Sequence, residues 1–231
     1  MIRAIILDFN GVILDDEPLH FTAMRDAVAE ESITVSREEY WREYLPLDDE
    51  SCLAAICRNH DRRPAPDRTE RILARKRQLY EQMLNRRFPL FPGAREFIHR
   101  AAERFPLAIA SGARRIEIES TLRATGLADR FRTVVAAEDF VRGKPHPDSY
   151  LLALERLNDC LSSPRGAILP RECMVIEDAV GGVHGARAAG MYCVAVTNSY
   201  EAEELSEANR IVGSLADLDV EGLAGLPEGA P

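Results

Sequence analysis

The sequence predicts an α/β protein: a Rossmann-like parallel sheet core with an inserted all-α cap. Three observations carry this. The chain opens on a short apolar run, Ala4 to Leu7, that ends in Asp8. From Phe88 onward, apolar strand-like runs alternate with helix-period stretches. Between the two lies a long segment with helical patterns only. An apolar run without polar alternation suits a strand buried on both faces, and strand–helix alternation implies parallel strands with helices on both faces.

Taken in order, Ala4–Leu7 is the first strand, and Asp8-Phe9-Asn10-Gly11 is the turn after it. Pro18 opens a helix whose acids, Asp15, Asp16 and Glu17, sit at its positive dipole end. Leu19, Met24, Ala27 and Val28 mark that helix, and Ser36 followed by Glu38 and Glu39 starts a second. Leu53, Ile56 and Cys57 fall in a third, and Ile72, Leu73, Leu79, Tyr80, Met83 and Leu84 form the stripe of a long fourth. The expected division is 1–15 with 89–231 as core and 16–88 as cap. Phe88-Pro89-Leu90-Phe91-Pro92-Gly93 is the return linker.

Beyond it, strands are expected at Pro106–Ser111, Thr133–Ala136, Cys173–Glu177 and Tyr192–Val196. Helices are expected at Ala94–Ala102, Glu117–Ala124, Asp148–Leu157 and Val180–Ala189. Asn158–Arg171 reads as a long surface loop, and Gly222–Pro231 as a frayed tail.

Of 231 residues, 46% are hydrophobic, which supports a packed core. The net charge of −9 excludes nucleic acid or an anionic membrane surface as the main partner. The five cysteines form no C-x-x-C pair and fit reduced thiols in a cytoplasmic protein; Cys52, Cys57 and His60 lack a zinc spacing. No apolar run reaches membrane length.

Carboxyl ends of parallel strands converge on one crevice. Asp8, Ser111-Gly112 and Glu177-Asp178 all follow predicted strands, and Lys144 lies in the proline-held loop Gly143-Lys144-Pro145-His146-Pro147. A carboxylate can accept a phosphoryl group and form an acyl phosphate. Clustered carboxylates and a phosphate repel, so the site needs a cation, and Asp8, Glu177 and Asp178 offer the hard oxygens that suit Mg²⁺. Ser111 and the Gly112 amide suit phosphate oxygens, and Lys144 supplies a point charge between nucleophile and phosphate.

The set Asp8-Phe9-Asn10-Gly11-Val12, Ser111-Gly112, Gly143-Lys144-Pro145 and Val175-Ile176-Glu177-Asp178-Ala179, with Gly181, Gly185 and Gly190 after it, resembles the haloacid dehalogenase superfamily. The nearest subgroup is the β-phosphoglucomutase-like phosphatases with a helical cap. The resemblance runs from about Arg3 to Val196. It implies Mg²⁺-dependent hydrolysis of a small organic or sugar phosphate through phospho-Asp8, in a monomer or homodimer whose partner is a small phosphorylated metabolite. Asp8, Asn10 and Lys144 are then catalytic. Gly11, Ser111, Gly112 and Lys144 bind phosphate. Asp8, the Asn10 carbonyl, Glu177 and Asp178 hold metal.

The chain departs from the family at Asn10, where phosphatases carry an Asp that protonates the leaving oxygen and then activates water. An amide cannot exchange that proton, so turnover is expected to be weak. A non-catalytic phosphate-binding protein and a mutase are the alternatives. His20, Asp48, Asp49 and Lys76 are the expected cap residues that read the substrate. The acidic Leu45–Ser51 loop disfavours a bisphosphate.

Overall fold

The computed structural model describes residues 1–45, 47–84, 88–161 and 166–226. The chain forms two compact units, one of Met1–Asp15 with Pro89–Pro231 and the other of Asp16–Phe88.

The first unit is built on β1 (Ala4–Leu7), β2 (Leu107–Ala110), β3 (Phe131–Val135), β4 (Cys173–Glu177), β5 (Tyr192–Val196) and β6 (Arg210–Val212). They form one sheet in the order β3-β2-β1-β4-β5-β6, and every pairing is parallel. The strand β1 is central: Ile5 pairs with Leu107 on one side and Met174 on the other. All residues of β1, β2, β4 and β5 are buried, as their apolar composition, broken only by Glu177 at the end of β4, requires. Sequence order reverses between β1 and β4, which makes their carboxyl ends the switch point where open α/β sheets bind ligands.

The second unit holds α1 (Glu17–Ala29), α2 (Arg37–Glu43), α3 (Asp49–Asn59) and α4 (Pro66–Leu84). Phe21, Met24, Val28, Ile56 and Ile72 lie in one buried cluster of it. Ser36 caps α2 by accepting from Glu39 N at 3.1 Å. Cys52 and Cys57 are buried thiols of this unit.

Back in the first unit, α5 (Ala94–Ala102), α6 (Arg115–Thr125), α7 (Asp148–Cys160), α8 (Val180–Ala188) and α9 (Val220–Leu223) complete the helices. Gly93 enters α5 at φ +80°, and a Cβ there would lie 2.7 Å from the Ala216 Cβ. Three expectations are corrected. The helix α7 runs on to Cys160, so the loop is shorter than Asn158–Arg171, and the Asn158 side chain ties it by bonding Ile168 N at 2.8 Å and Ile168 O at 3.0 Å. Ser162–Arg165 of that loop lie outside the described residues. The strand β6 was not anticipated, because three half-buried residues at an edge carry no usable period. Val220 and Leu223 are buried, so the tail packs at least this far; residues 227–231 lie outside the described residues.

The edge strand β3 is braced by Asp139, which accepts from Arg156 Nη2 at 2.9 Å, from Ala136 N at 2.8 Å and from Arg115. The Arg156 bond first, then the Ala136 amide and the Arg115 charge, hold its carboxyl below the usual range against a modest burial penalty. A depressed folded pKa stabilises above the unfolded value near 3.9, and that contribution is lost as pH falls through the folded value. In urea unfolding, Asp139→Asn is therefore expected to cost about 1–3 kcal/mol at pH 7. The gap to the parent should close below about pH 4. A constant gap over that range would show that packing, not charge, is what the substitution removes.

Candidate active site

Asp8 follows β1 directly, and its N–H donates to Ile176 O of β4 at 3.0 Å. The chain then turns: Ile13 and Leu14 N–H both donate to Phe9 O, and Gly11 N donates to Leu14 O at 3.0 Å. Gly11 has φ +75°, and a Cβ on it would sit 1.9 Å from Asp178 Oδ2. Only glycine fits that approach. Asn10 is in the same turn, half-buried, and its backbone bridges to Leu14.

Four of the expected residues meet at the switch point. Lys144 Nζ donates to Asp8 Oδ1 at 2.6 Å and to Glu177 Oε1. Oxygens of Asp8, Glu177 and Asp178 all lie within 4.8 Å of one another. Glu177 is completely buried. Its Oε1 accepts from Lys144 and also from Tyr150 OH at 2.6 Å; its Oε2 accepts from Asp178 N at 3.0 Å and Ala179 N at 3.2 Å. Those four bonds use all four lone-pair positions of a carboxylate. A Cβ on Gly182 would fall 2.0 Å from the Glu177 Cδ, so α8 starts against this carboxylate only because residue 182 is glycine.

Burial and the nearby Glu177 charge push the Asp8 carboxyl up to about 6, while Lys144 opposes the shift. Burial and the charges of Glu177 and Asp8 hold Asp178 well above the usual carboxylate range. Burial alone would depress Lys144, but Asp8 and Glu177 more than offset it and hold the ammonium charged.

Ser111 and Gly112 follow β2 directly, next to β1. Ser111 is buried, and its Oγ accepts from Ala113 N at 3.2 Å; it has no bond to the carboxylate cluster among the described residues. The start of α6 is elsewhere, with Arg114 at the N-cap. Gly112 is exposed with open space around its Cα.

Three residues of the cluster were not anticipated. Ser199 donates to Asp178 Oδ2, and Asn198 Nδ2 donates to Gly11 O at 2.6 Å. Both follow β5, so the strand-end rule that singled out Asp8 and Glu177 also reaches them. Tyr150 sits in the first turn of α7 and reads as an ordinary core aromatic.

The expected cap residues lie in the helical unit. Asp48 is the N-cap of α3: its Oδ1 accepts from Glu50 N and Ser51 N, both at 3.0 Å, and its Oδ2 from Ser51 Oγ at 2.7 Å. These three bonds make Asp48 the cap of the helix start. Lys76 is buried, with Nζ 2.7 and 2.9 Å from the Asp49 oxygens and 2.6 Å from His20 Nδ1. His20 Nε2 lies 3.1 Å from Asp16 Oδ2, which also accepts from Tyr80 OH at 2.6 Å. An ammonium beside Nδ1 must donate, which leaves the imidazole proton on Nε2 facing Asp16. His20, Asp49 and Lys76 therefore belong to one connected polar chain.

The doubly wound parallel sheet thus gathers three buried carboxylates and a lysine at its switch point. The family model for haloacid dehalogenase-like hydrolases matches residues 2–190, and the chain belongs to that family. It is 29% identical over 191 residues to the phosphorylated carbohydrates phosphatase of Thermotoga maritima, covering 82% of each chain. It is 30% identical over 201 residues to hexitol phosphatase B of Escherichia coli, covering 84% of this chain and 83% of the relative. Among solved structures, an Asp-to-Asn mutant of CbbY from Rhodobacter sphaeroides in complex with xylulose-(1,5)bisphosphate superposes with a TM-score of 0.78 at 28% identity, covering 98% of this chain and 100% of that one. No helix among the described residues is long and apolar enough to cross a membrane.

Proposed function

We propose that the chain is a phosphatase of small phosphorylated carbohydrates and related organic phosphates, acting through phospho-Asp8 and requiring Mg²⁺. The observation that carries this reading is the Asp8–Lys144–Glu177–Asp178 cluster at the switch point. The activities of two relatives, a phosphorylated-carbohydrate phosphatase and a hexitol phosphatase, support the substrate class.

The donor set fits a hard divalent cation: it is oxygen-only, anionic and buried, and its carboxylates mutually repel. Asp8 and Asp178 would hold the ion, with the Asn10 carbonyl as a third oxygen. Glu177, whose lone pairs are already taken, acts instead by fixing Lys144, a role narrower than the direct ligation expected from sequence. When bound, the ion supplies charge neutralisation for the transferring phosphoryl group.

The chain's own residues do the rest. Lys144 and Tyr150 hold Glu177, and Lys144 occupies Asp8 Oδ1, so the second Asp8 oxygen is the attacking atom. It forms a bond to phosphorus as the P–O ester bond breaks, and the alkoxide leaves. Ser111 Oγ and the Gly112 amide stand at the next strand end to receive phosphate oxygens. Water then attacks phosphorus, regenerates the Asp8 carboxylate and releases phosphate. Asn10 has no proton to give the alkoxide and no base for that water, so phospho-Asp8 persists. His20, Asp49 and Lys76 are the proposed substrate-reading residues of the helical unit. With Lys76 paired to Asp49, a monophosphate with a polar body suits them better than a bisphosphate.

The test is phosphate release from a panel of hexitol, hexose and pentose monophosphates with Mg²⁺. Slow release is expected, with a hydroxylamine-sensitive phosphate on the acid-quenched chain. Asp8→Asn should abolish both. Release that survives Asp8→Asn would dismiss Asp8 as the nucleophile.

A further inference from the structure

We propose that the helical unit carries a second ligand site, a pocket for a small metabolite that bears a carboxylate or phosphate group. The cavity is about 300 Å³ and is walled by Glu31, Ile33, Cys57, Arg62, Arg63 and Arg68. It shares no residue with the carboxylate cluster of the first unit.

Its floor is apolar: Ile33, Cys57 and Ile72 are each at most 5% exposed. Its rim is cationic. Arg68 is matched by an ion pair with Glu31. Arg62 and Arg63 have no ion pair and no side-chain hydrogen bond among the described residues. Asp61 is the remaining acid on the wall, so the rim keeps a surplus positive charge in a chain whose net charge is −9. An apolar floor with a few convergent polar groups is the usual make-up of a ligand pocket, and this volume lies at the small end of their range. Two neighbouring guanidiniums with free N–H forks match the planar oxygens of a carboxylate or the oxygens of a phosphate.

The backbone points to the same place. Among the described residues, Ser32 at φ +60° and Asp61 at φ +54° are the non-glycine positions with positive φ. Ser32 lies between the wall residues Glu31 and Ile33, and Asp61 is itself on the wall. Each ends a helix, closed by Ile33 N to Val28 O at 3.2 Å and by Arg62 N to Cys57 O at 2.7 Å. Glycine or asparagine would take these turns at lower cost, and such strain tends to collect at ligand sites. The Asp61 turn sets Arg62 and Arg63 on the rim, and Pro64 stiffens the chain directly after them.

The experiment reads the pocket itself through the Cys57 thiol on its floor. The full chain, freed of metal, is alkylated with iodoacetamide, and labelling of each cysteine is followed by mass spectrometry. Succinate and inorganic phosphate serve as probes in separate arms, up to about 10 mM, roughly tenfold above a Kd of 1 mM. At least one probe is expected to slow Cys57 labelling threefold or more. Labelling of Cys52, on the same helix but off the cavity wall, should stay unchanged. The arm that protects identifies the oxyanion. In the Arg62→Ala/Arg63→Ala variant, whose replaced side chains are exposed, an unchanged circular dichroism spectrum and loss of protection are expected. No protection by either probe overturns the proposal, as does protection that survives in the double variant. None of these readouts involves phosphate release, so failure here leaves the phospho-Asp8 reading standing and the reverse also holds.

Discussion

Asn10→Asp is expected to raise steady-state phosphate release by about 10²–10⁴-fold, the usual worth of one positioned general acid–base group. Asn and Asp have nearly the same shape, and residue 10 sits in a turn fixed by backbone bonds from Gly11, Ile13 and Leu14. The substitution thus changes proton chemistry with little change in packing. In the first half-reaction the new carboxyl protonates the leaving alkoxide; in the second it takes a proton from the attacking water. Both steps gain, so the trapped phosphate on Asp8 should fall as turnover rises. Rapid-quench measurement of both quantities in the two proteins distinguishes this from a simple change in affinity. Turnover within threefold of the parent would mean that another group already moves the proton.

The second large effect concerns stability. Lys144→Met should lower the unfolding free energy by about 3–5 kcal/mol in metal-free buffer, because it leaves buried charge uncompensated. The ammonium contacts Asp8, 11% exposed, and Glu177, 0% exposed. Without it the three carboxylates oppose one another across less than 4.8 Å. Some of the cost returns if a carboxyl binds a proton: Lys144 holds the Asp8 value down to about 6, its removal lets that value rise, and the deficit should shrink as pH falls towards 6. The sign follows from the raised folded pKa, since such a group favours the folded state as pH falls. Urea unfolding at pH 7.5 and pH 5.5 tests both statements. Mg²⁺ should also recover more stability in the variant than in the parent. A deficit under about 0.5 kcal/mol, the scale of an ordinary surface change, would show that the lysine compensates nothing.

Much of the architecture was legible because its strands are short apolar runs closed by turn residues. Cys173–Glu177 and Tyr192–Val196 could be bounded to the residue for that reason. The strand β6 was not, since Arg210 leads it and an edge strand need bury only part of itself. The carboxylates were readable because strand ends converge in any parallel sheet, and Lys144 because it is a lysine held out of helix by two prolines. Tyr150 was hidden: a tyrosine on a helical stripe looks the same whether its hydroxyl meets a glutamate or nothing. Asp48 illustrates the opposite problem. An acidic residue in a loop and an acidic helix cap share one sequence signature, and only the bonds to Glu50 N and Ser51 N separate them. Lys76, set in a run of arginines, carries the pattern of a solvated face yet is 2% exposed.

The position of β1 at the centre of the sheet bears on how the chain is made. Its first partner in register, Leu107 beside Ile5, lies beyond the whole helical insertion, and its second, Met174, comes much later still. During synthesis from the amino terminus, the most apolar strand is therefore the earliest to emerge and among the last to be paired on both edges. Contacts between residues so far apart in sequence close large loops and form slowly. Until β4 arrives, Ala4-Ile5-Ile6-Leu7 presents an unpaired edge of the kind that recruits other chains. A ribosome stalled anywhere before residue 177 would hold a nascent polypeptide without its reactive centre and with its stickiest segment open. Catalytic competence and protection from aggregation thus arrive together, once β4 has been made.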